Sequence, residues 1–362
     1  MNCKVPENDP MKACQGDVDE KPSRRKRMAI YFPPHKAAHC LVAYLAVAFF
    51  LIAAPATAQE FKMLRIGTGG LLGVYYPIGK ALAAGITSAS LAPDLIAVEQ
   101  TSGGSVDNLR ALLAGEIEIG LVQADVAHRA LHGEEPFTQV EGADRVRAVA
   151  SLYPERLQIL TRRDAGIRRI QDFRGKSLSL DEVGSGTLAV MRIVLAAHGL
   201  GEKDFDPVYL KPEFTQERLT GGKLQGFSLM AGTPAKAVAD LMNQDYYLVP
   251  VEPEIAAQIS QAYPYLAAGH IPEGAYQGVP QTPTLEVHAL LLIRDDMNEE
   301  LAFALTEALW NDQTQALLRA AHPQGSFVTL DSALSGISIP LHPGAQRFYE
   351  NKGLLPGGSS LP

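Results

Sequence analysis

The sequence predicts an α/β protein of two lobes, each a mostly parallel sheet flanked by helices. Three observations predict it. Strand-like and helix-like hydrophobic periods alternate along the chain, which requires crossover connections and parallel pairing. Glycine-rich loops stand where strand patterns give way to helix patterns, above all at Gly67–Gly79 and Gly184–Thr187. Past an N-terminal leader, about 304 of the 362 residues remain, enough for two units of about 150.

The leader comes first. Leu41 to Ala54 is an uninterrupted apolar run of 14 residues, shorter than the ~20 that a bilayer span needs. It ends in Ala56-Thr57-Ala58, a small-x-small cleavage pattern, and follows the cations Arg24, Arg25, Lys26, Arg27 and Lys36. Residues 1–58 are therefore expected to be a secretory signal cut near Gln59, with the mature protein in the periplasm. Met28 is an alternative start that leaves a leader of ordinary length. Ser23-Arg24-Arg25 hints at a twin-arginine signal, but the apolar run begins too far downstream. Cys3, Cys14 and Cys40 all precede the cleavage point, so no disulfide is expected in the mature chain. Cys40 stands before the apolar run, where it is badly placed for a lipid anchor.

Of the 32 Lys/Arg and 40 Asp/Glu, eight and five fall before residue 59, which leaves a net charge of −11. That balance argues against nucleic acid, whose phosphates need clustered cations.

The elements follow in order. Met63–Ile66 reads as a strand. The glycine loop after it leads to a helix with Ile78, Leu82 and Ile86 on one face and Pro77 in its first turn. Leu95–Val98 is a strand, and Val106, Leu109 and Leu113 mark the next helix. Ile117, Ile119 and Leu121 alternate with Glu116, Glu118 and Gly120 in a third strand that ends at Gln123, and a helix starts near Asp125. Arg147–Leu152 and Leu157–Thr161 read as two short strands. A second unit begins near Asp164, with a short helix at Ile167–Phe173, a strand at Ser177–Leu180, and a helix carrying Val190, Ile193, Val194 and Ala197. Leu224–Met230 and Tyr246–Val251 are later strands, with a helix at 235–242. Leu285–Arg294 is a long apolar strand suited to carry the chain back to the first lobe. Leu301, Leu305 and Ala308 mark a helix, Leu341–Gly353 holds another, and Pro356–Pro362 is expected to be disordered. The lobes are thus assigned to residues 59–163 with 288–355, and to residues 164–287.

Five loops fall after strands or at helix starts, where ligands gather in open α/β sheets. The first holds Thr68, Gly69, Tyr75 and Tyr76. Its glycines allow close approach, and the free N–H groups and dipole of the following helix suit an anion. The second, Thr101-Ser102-Gly103-Gly104-Ser105, offers hydroxyls and amides to a carboxylate, or an ordinary cap by Ser105. The third is Gln123-Ala124-Asp125, where Asp125 either accepts from a ligand amine or caps a helix. The fourth supplies Ser185, Gly186 and Thr187, and the fifth, Ala231–Pro234, supplies Thr233. Facing glycine–hydroxyl helix starts in two lobes suggest a clamp for one small anion.

Other chemistries find little footing. A G-x-G-x-x-G loop would need glycine at position 72, which is Leu72, and no Gly-Lys-Ser/Thr follows for a P-loop. Gly184-Ser185-Gly186 is not a nucleophile elbow. His128 and His132, four apart with Glu134 and Glu135 behind, have spacing that would suit a surface metal, or form a solvated helix face. Arg162-Arg163 and Arg168-Arg169 read as solvated pairs, with one reaching the cleft mouth as the alternative. No cofactor is expected.

Six stretches carry a family resemblance. They are Gly67–Gly79 (GTGGLLGVYYPIG), Thr101–Asn108 (TSGGSVDN), Gly120–Asp125 (GLVQAD), Asp172–Thr187 (DFRGKSLSLDEVGSGT), Ile271–Tyr276 (IPEGAY) and His342–Tyr349 (HPGAQRFY). The chain resembles the TAXI-type (TRAP-associated extracytoplasmic immunogenic) solute receptors of TRAP transporters. That resemblance implies a two-lobed, type II periplasmic-binding-protein fold and a small organic acid as ligand, with glutamate, 2-oxoglutarate or a related dicarboxylate favoured. It also implies TRAP membrane subunits as the partner, with docking at the membrane through them alone. Two departures stand out: Gln225-Gly226-Phe227-Ser228 where such receptors usually read Asp-Ala-Phe-Phe, and Leu71-Leu72 in place of the usual Thr-Gly. A non-enzymatic receptor is expected, with a periplasmic sensor feeding a signalling protein, or an enzyme on the same fold, as alternatives.

Overall fold

The computed structural model describes residues 62–356 apart from 93, 243 and 244. The expected leader, its cysteines, the candidate start Met28, the cleavage point and the tail beyond residue 356 lie outside the described residues.

The first half alternates strand and helix without exception: β1 (Lys62–Gly67), α1 (Tyr75–Ser88), β2 (Leu95–Gln100), α2 (Ser105–Ala114), β3 (Ile119–Gln123) and α3 (Ala124–Leu131). A long strand, β4 (Val146–Arg162), then leaves this group. The second set comprises β5 (Ser177–Ser179), α4 (Gly186–Ala197), β6 (Asp206–Val208), α5 (Pro212–Thr220), β7 (Gly226–Ala231), α6 (Lys236–Ala239), β8 (Tyr246–Leu248) and α7 (Pro253–Ala262). The chain returns through β9 (Ala267–Ile271) and β10 (Thr282–Arg294), and closes with α8 (Glu299–Trp310), α9 (Asp312–Ala321) and α10 (Pro343–Asn351).

The ten strands of the described residues join one sheet, whose main path runs β2-β1-β3-β10-β4-β7-β5-β6. β1 pairs parallel with β2 and β3, and β5 pairs parallel with β6 and β7. Between these groups β10 and β4 run antiparallel to each other and to their outer neighbours β3 and β7. The α/β class is as expected, but the sheet is mixed where a largely parallel one was expected. A connection that returns the chain between the groups must enter against the strand direction, and β10 is that connection.

Both faces of the sheet are covered, and β10 records this in its sequence. Leu290 and Leu292 join one apolar cluster while Ala289, Leu291 and Ile293 join the other. Successive side chains point to opposite faces, so a strand buried twice reads as an unbroken apolar run. In α1 the four-residue spacing of Ile78, Leu82 and Ile86 places all three in the core.

Other elements differ from expectation. The two strands read at 147–152 and 157–161 are the single strand β4, because Pro154 does not break it. Pro154 stands opposite His288, and the register slips between Ala289 and Leu290 and again between Leu291 and Leu292. The helix expected at Ile167–Phe173 is one 3₁₀ turn, Ile170–Phe173, started where Asp172 accepts the amides of Arg168 and Arg169. Helices α5, α7 and α9 and strands β6 and β9 were not anticipated. α5 and α7 open on Pro212 and Pro253 and are short, so their apolar faces carry few residues to read. Among the described residues no helix is long and apolar enough to cross a membrane.

Candidate functional site

The C-terminal ends of β1, β2, β3, β5 and β7 deliver their loops to one narrow cavity of about 60 Å³. From the first group come Gly69, Gly70, Gly73, Val74, Tyr75, Gly103, Gly104, Ser105 and Gln123. From the second come Asp181, Glu182, Ser185, Gly186, Thr187, Pro212 and the end of β7, while Glu155 enters from the middle of β4.

The two glycine loops meet. The carbonyl of Gly184 accepts the amides of Val106 (3.0 Å) and Asp107 (3.2 Å) in the first turn of α2. Gly184 has φ +96°, and a Cβ there would come within 2.1 Å of Asp107 Oδ1. Gly186 is equally tight: a Cβ would meet Gln123 Oε1 at 2.3 Å. Glu213, in the first turn of α5, reaches the other glycine loop, where Oε1 accepts the amide of Leu72 at 3.1 Å. The clamp expectation is thereby corrected in part. The two helix entrances face each other, yet the amides of α2 and of Leu72 are already taken by protein oxygens. The starts of α1 and α4 retain first-turn amides that no intrahelical carbonyl can satisfy.

The electrostatics of the lining are acidic. Among the described residues that line the cavity there is no Lys, Arg or His. Glu155 is 1% exposed, and burial pushes its carboxyl well above the usual range, against the donated hydroxyl of Tyr75 at 3.0 Å. Asp181 is raised to about 7, chiefly by burial. It sits at φ +70°, a left-handed conformation unusual for a residue with a side chain, and Oδ1 accepts the amide of Glu182. Glu182 is raised by burial and by its neighbours Asp107 and Glu213, while Lys211, 3.7 Å away, opposes the shift. Strain at a cavity-lining position is a common accompaniment of function.

The structure brings together Gly69, Tyr75, Gly103, Gln123, Ser185, Gly186 and Thr187 from the sequence-based candidates. Two of these also have structural duties. Ser185 caps α4 by accepting the amide of Leu188 at 3.1 Å, and Thr187 Oγ1 accepts the amide of Met230 at 3.0 Å. The other candidates lie elsewhere. Thr68 is fully buried, and its hydroxyl donates to the Gln100 carbonyl at 2.6 Å. Tyr76 is half-buried outside the lining. Thr101 and Ser102 line a separate recess with Asp107, Asn108 and Arg110. Asp125 is fully buried behind the cavity with neither carboxylate oxygen partnered, and burial raises it to about 6. Thr233 faces Arg156, and its carbonyl accepts Gln324 Nε2 at 2.6 Å.

Sequence reasoning missed Glu155, Asp181 and Glu182 as lining residues; Ser105, read as a hydroxyl of the second loop or as a cap, lines the cavity, and the N-cap of α2 is Gly104. An acid flanked by Pro154 and Arg156 gives no periodic signal of burial. Asp181-Glu182 precedes the glycine loop and was legible as part of DEVGSGT. Of the other features, His128 and His132 stack on each other at 4.0 Å, and His128 lies 4.8 Å from Tyr265. Arg162 pairs with Asp164 and Arg169 with Asp172, while Arg163 and Arg168 lie over Tyr247.

Comparison with known proteins gives a consistent picture. A solved structure from Bordetella bronchiseptica RB50 is similar with a TM-score of 0.50 at 16% identity, over 82% of this chain and 83% of that one. The alkanesulfonate-binding protein SsuA from Xanthomonas axonopodis pv. citri, bound to MOPS, gives 0.47 at 16% identity over 80% and 84%. The GluR0 ligand-binding core from Nostoc punctiforme, in complex with (L)-glutamate, gives 0.43 at 13% identity over 71% and 98%. At such identity the likeness to the Bordetella structure concerns the fold alone: α/β, with a mixed sheet flanked by helices. The NMT1-like family model matches residues 66–353, and the chain belongs to the NMT1-like family.

Proposed function

We propose that this protein is an extracytoplasmic solute-binding receptor that closes two lobes over a small organic acid and hands it to a membrane transporter without chemical change. The observation that carries this reading is the meeting of two strand-end loop clusters, one from each parallel group, around a single cavity. A site built half from each group gains contacts only when the halves approach, so a solute touching both favours the closed arrangement. The lobes of this reading are residues 59–163 with 288–355, and residues 164–287; β4 and β10, which link the groups, are where they would hinge. The solute's carboxylate meets the open amides at the starts of α1 and α4, helped by the hydroxyls of Ser185 and Thr187. TRAP-type membrane subunits are the partner that the sequence resemblance suggests, reached from the periplasm.

The test is a thermal-shift screen of residues 59–362 against amino acids, 2-oxo acids and dicarboxylates. A true solute at a hundred times its dissociation constant should add about 2.7 kcal/mol of stability. A compound turned over at catalytic rates would refute the receptor reading.

A further inference from the structure

The side chains that line the cavity include the three carboxyls of Glu155, Asp181 and Glu182 and one orphaned amide oxygen. Gln123 is 3% exposed, and its Oε1 has no hydrogen-bond partner. Its amide nitrogen is directed toward Glu155, so the oxygen is the atom left facing the start of α4. Glu155 stands in mid-strand opposite Val287 of β10, one residue before the pairing with β7 begins, and it accepts the Tyr75 hydroxyl at 3.0 Å. Asp181, 8% exposed, completes the set. Lys211 stands against Glu182, but among the described residues no ion pair is made by Glu155 or Asp181. Burying a carboxylate beside other carboxylates without a counter-ion is costly. A second solute carboxylate would add to that cost, whereas an ammonium would relieve it and satisfy the orphaned amide oxygen.

We propose that the solute carries an ammonium group, held by Gln123, Glu155 and Asp181, and no more than one carboxylate. This rests on the receptor reading and narrows it: glutamate and 2-oxoglutarate are set aside in favour of neutral zwitterions or amines. The ammonium opposes the upward shift that burial gives Glu155 and Asp181, so its entry is accompanied by proton release.

The experiment is isothermal titration of residues 59–362 with alanine, γ-aminobutyrate, putrescine, glutamate, 2-oxoglutarate and succinate. Each binder is titrated at pH 6.5 in phosphate and in imidazole, whose ionisation enthalpies differ. The expected result is binding by an amine-bearing, at most monocarboxylate compound, at least tenfold tighter than any dicarboxylate, with proton release. Tighter binding of glutamate, 2-oxoglutarate or succinate overturns this inference and leaves the receptor reading standing. Silence from all six overturns both. Glu155→Gln keeps the shape and an acceptor for Tyr75; it should weaken amine binding at least tenfold and reduce the proton release, with an unchanged or higher melting temperature. Unaltered binding by a folded Glu155→Gln variant also overturns the assignment.

Discussion

The carbonyl of Gly184 accepts two amides of the α2 first turn, those of Val106 and Asp107. These are donors that no residue of α2 itself can satisfy. A backbone oxygen thus occupies the place that the sequence suggested for a solute carboxylate, and it ties the second group's glycine loop to the first group's helix.

Gly184→Ala tests whether this contact belongs to closure. A Cβ there meets Asp107 Oδ1 at 2.1 Å, and φ is +96°. The conformation alone costs about 1–2 kcal/mol for a residue with a side chain. If the loops part to relieve the clash, solute affinity should fall at least tenfold while urea unfolding changes by no more than about that amount. A loss of stability with full affinity would show that the contact serves the fold only.

Asn108 fastens two loops and strand β3 from one position. Its Nδ2 donates to the carbonyls of Thr68 (2.6 Å) and Leu121 (2.7 Å), and its Oδ1 lies 2.6 Å from Ser102 Oγ. Asn108→Ala should destabilise the protein by about 1–3 kcal/mol for each buried partner left unsatisfied. Asn108→Asp should be little better, since a carboxylate cannot donate to the two carbonyls. Urea titration of both variants checks this, and wild-type stability in either would refute it.

Stability should depend on pH in the sense opposite to ordinary surface acids. Asp181 and Asp125 are raised to about 7 and about 6, chiefly by burial. At intermediate pH the folded chain keeps protons that the unfolded chain has lost. Stability therefore declines as pH rises from about 4 to about 7, by up to about 1.4 kcal/mol per pH unit for each retained proton. Glu118, lowered by Arg65, acts the other way, and its contribution is lost on acidification toward and below its ordinary range. Urea midpoints of the solute-free protein at half-unit steps from pH 4.5 to 7.5 check the slope. Asp181→Asn should flatten it between about pH 5 and 7; an equal slope would show that Asp181 is not the group responsible.

The sequence disclosed the scaffold better than the chemistry. Ile78, Leu82 and Ile86 announced α1 because a one-sided helix repeats every three to four residues. Gly184 and Gly186 announced a close approach, and each has a neighbour's side chain where its Cβ would stand. Glu155 could not be read this way. Its importance comes from sitting where β4 passes from β10 to β7, a relationship between residues far apart in sequence. Thr68 and Ser102 misled for a related reason: a hydroxyl in a glycine loop serves equally to join neighbouring loops, and here both do so.

Glu213 gives the most direct handle on closure. Its Oε1 accepts the amide of Leu72 from across the two groups at 3.1 Å, while Oε2 is buried without a partner. A hydrogen bond to a charged group contributes about 1.5–3 kcal/mol, so losing it should shift an open–closed balance by about 10- to 100-fold toward open. Glu213→Gln retains an acceptor for Leu72 and should behave more nearly as wild type. Small-angle scattering of the solute-free proteins would therefore give a larger radius of gyration for Glu213→Ala alone, restored by saturating solute. If Glu213→Ala matches wild type in both states, the contact is incidental, and the latch must be sought in Gly184 and the start of α2 instead.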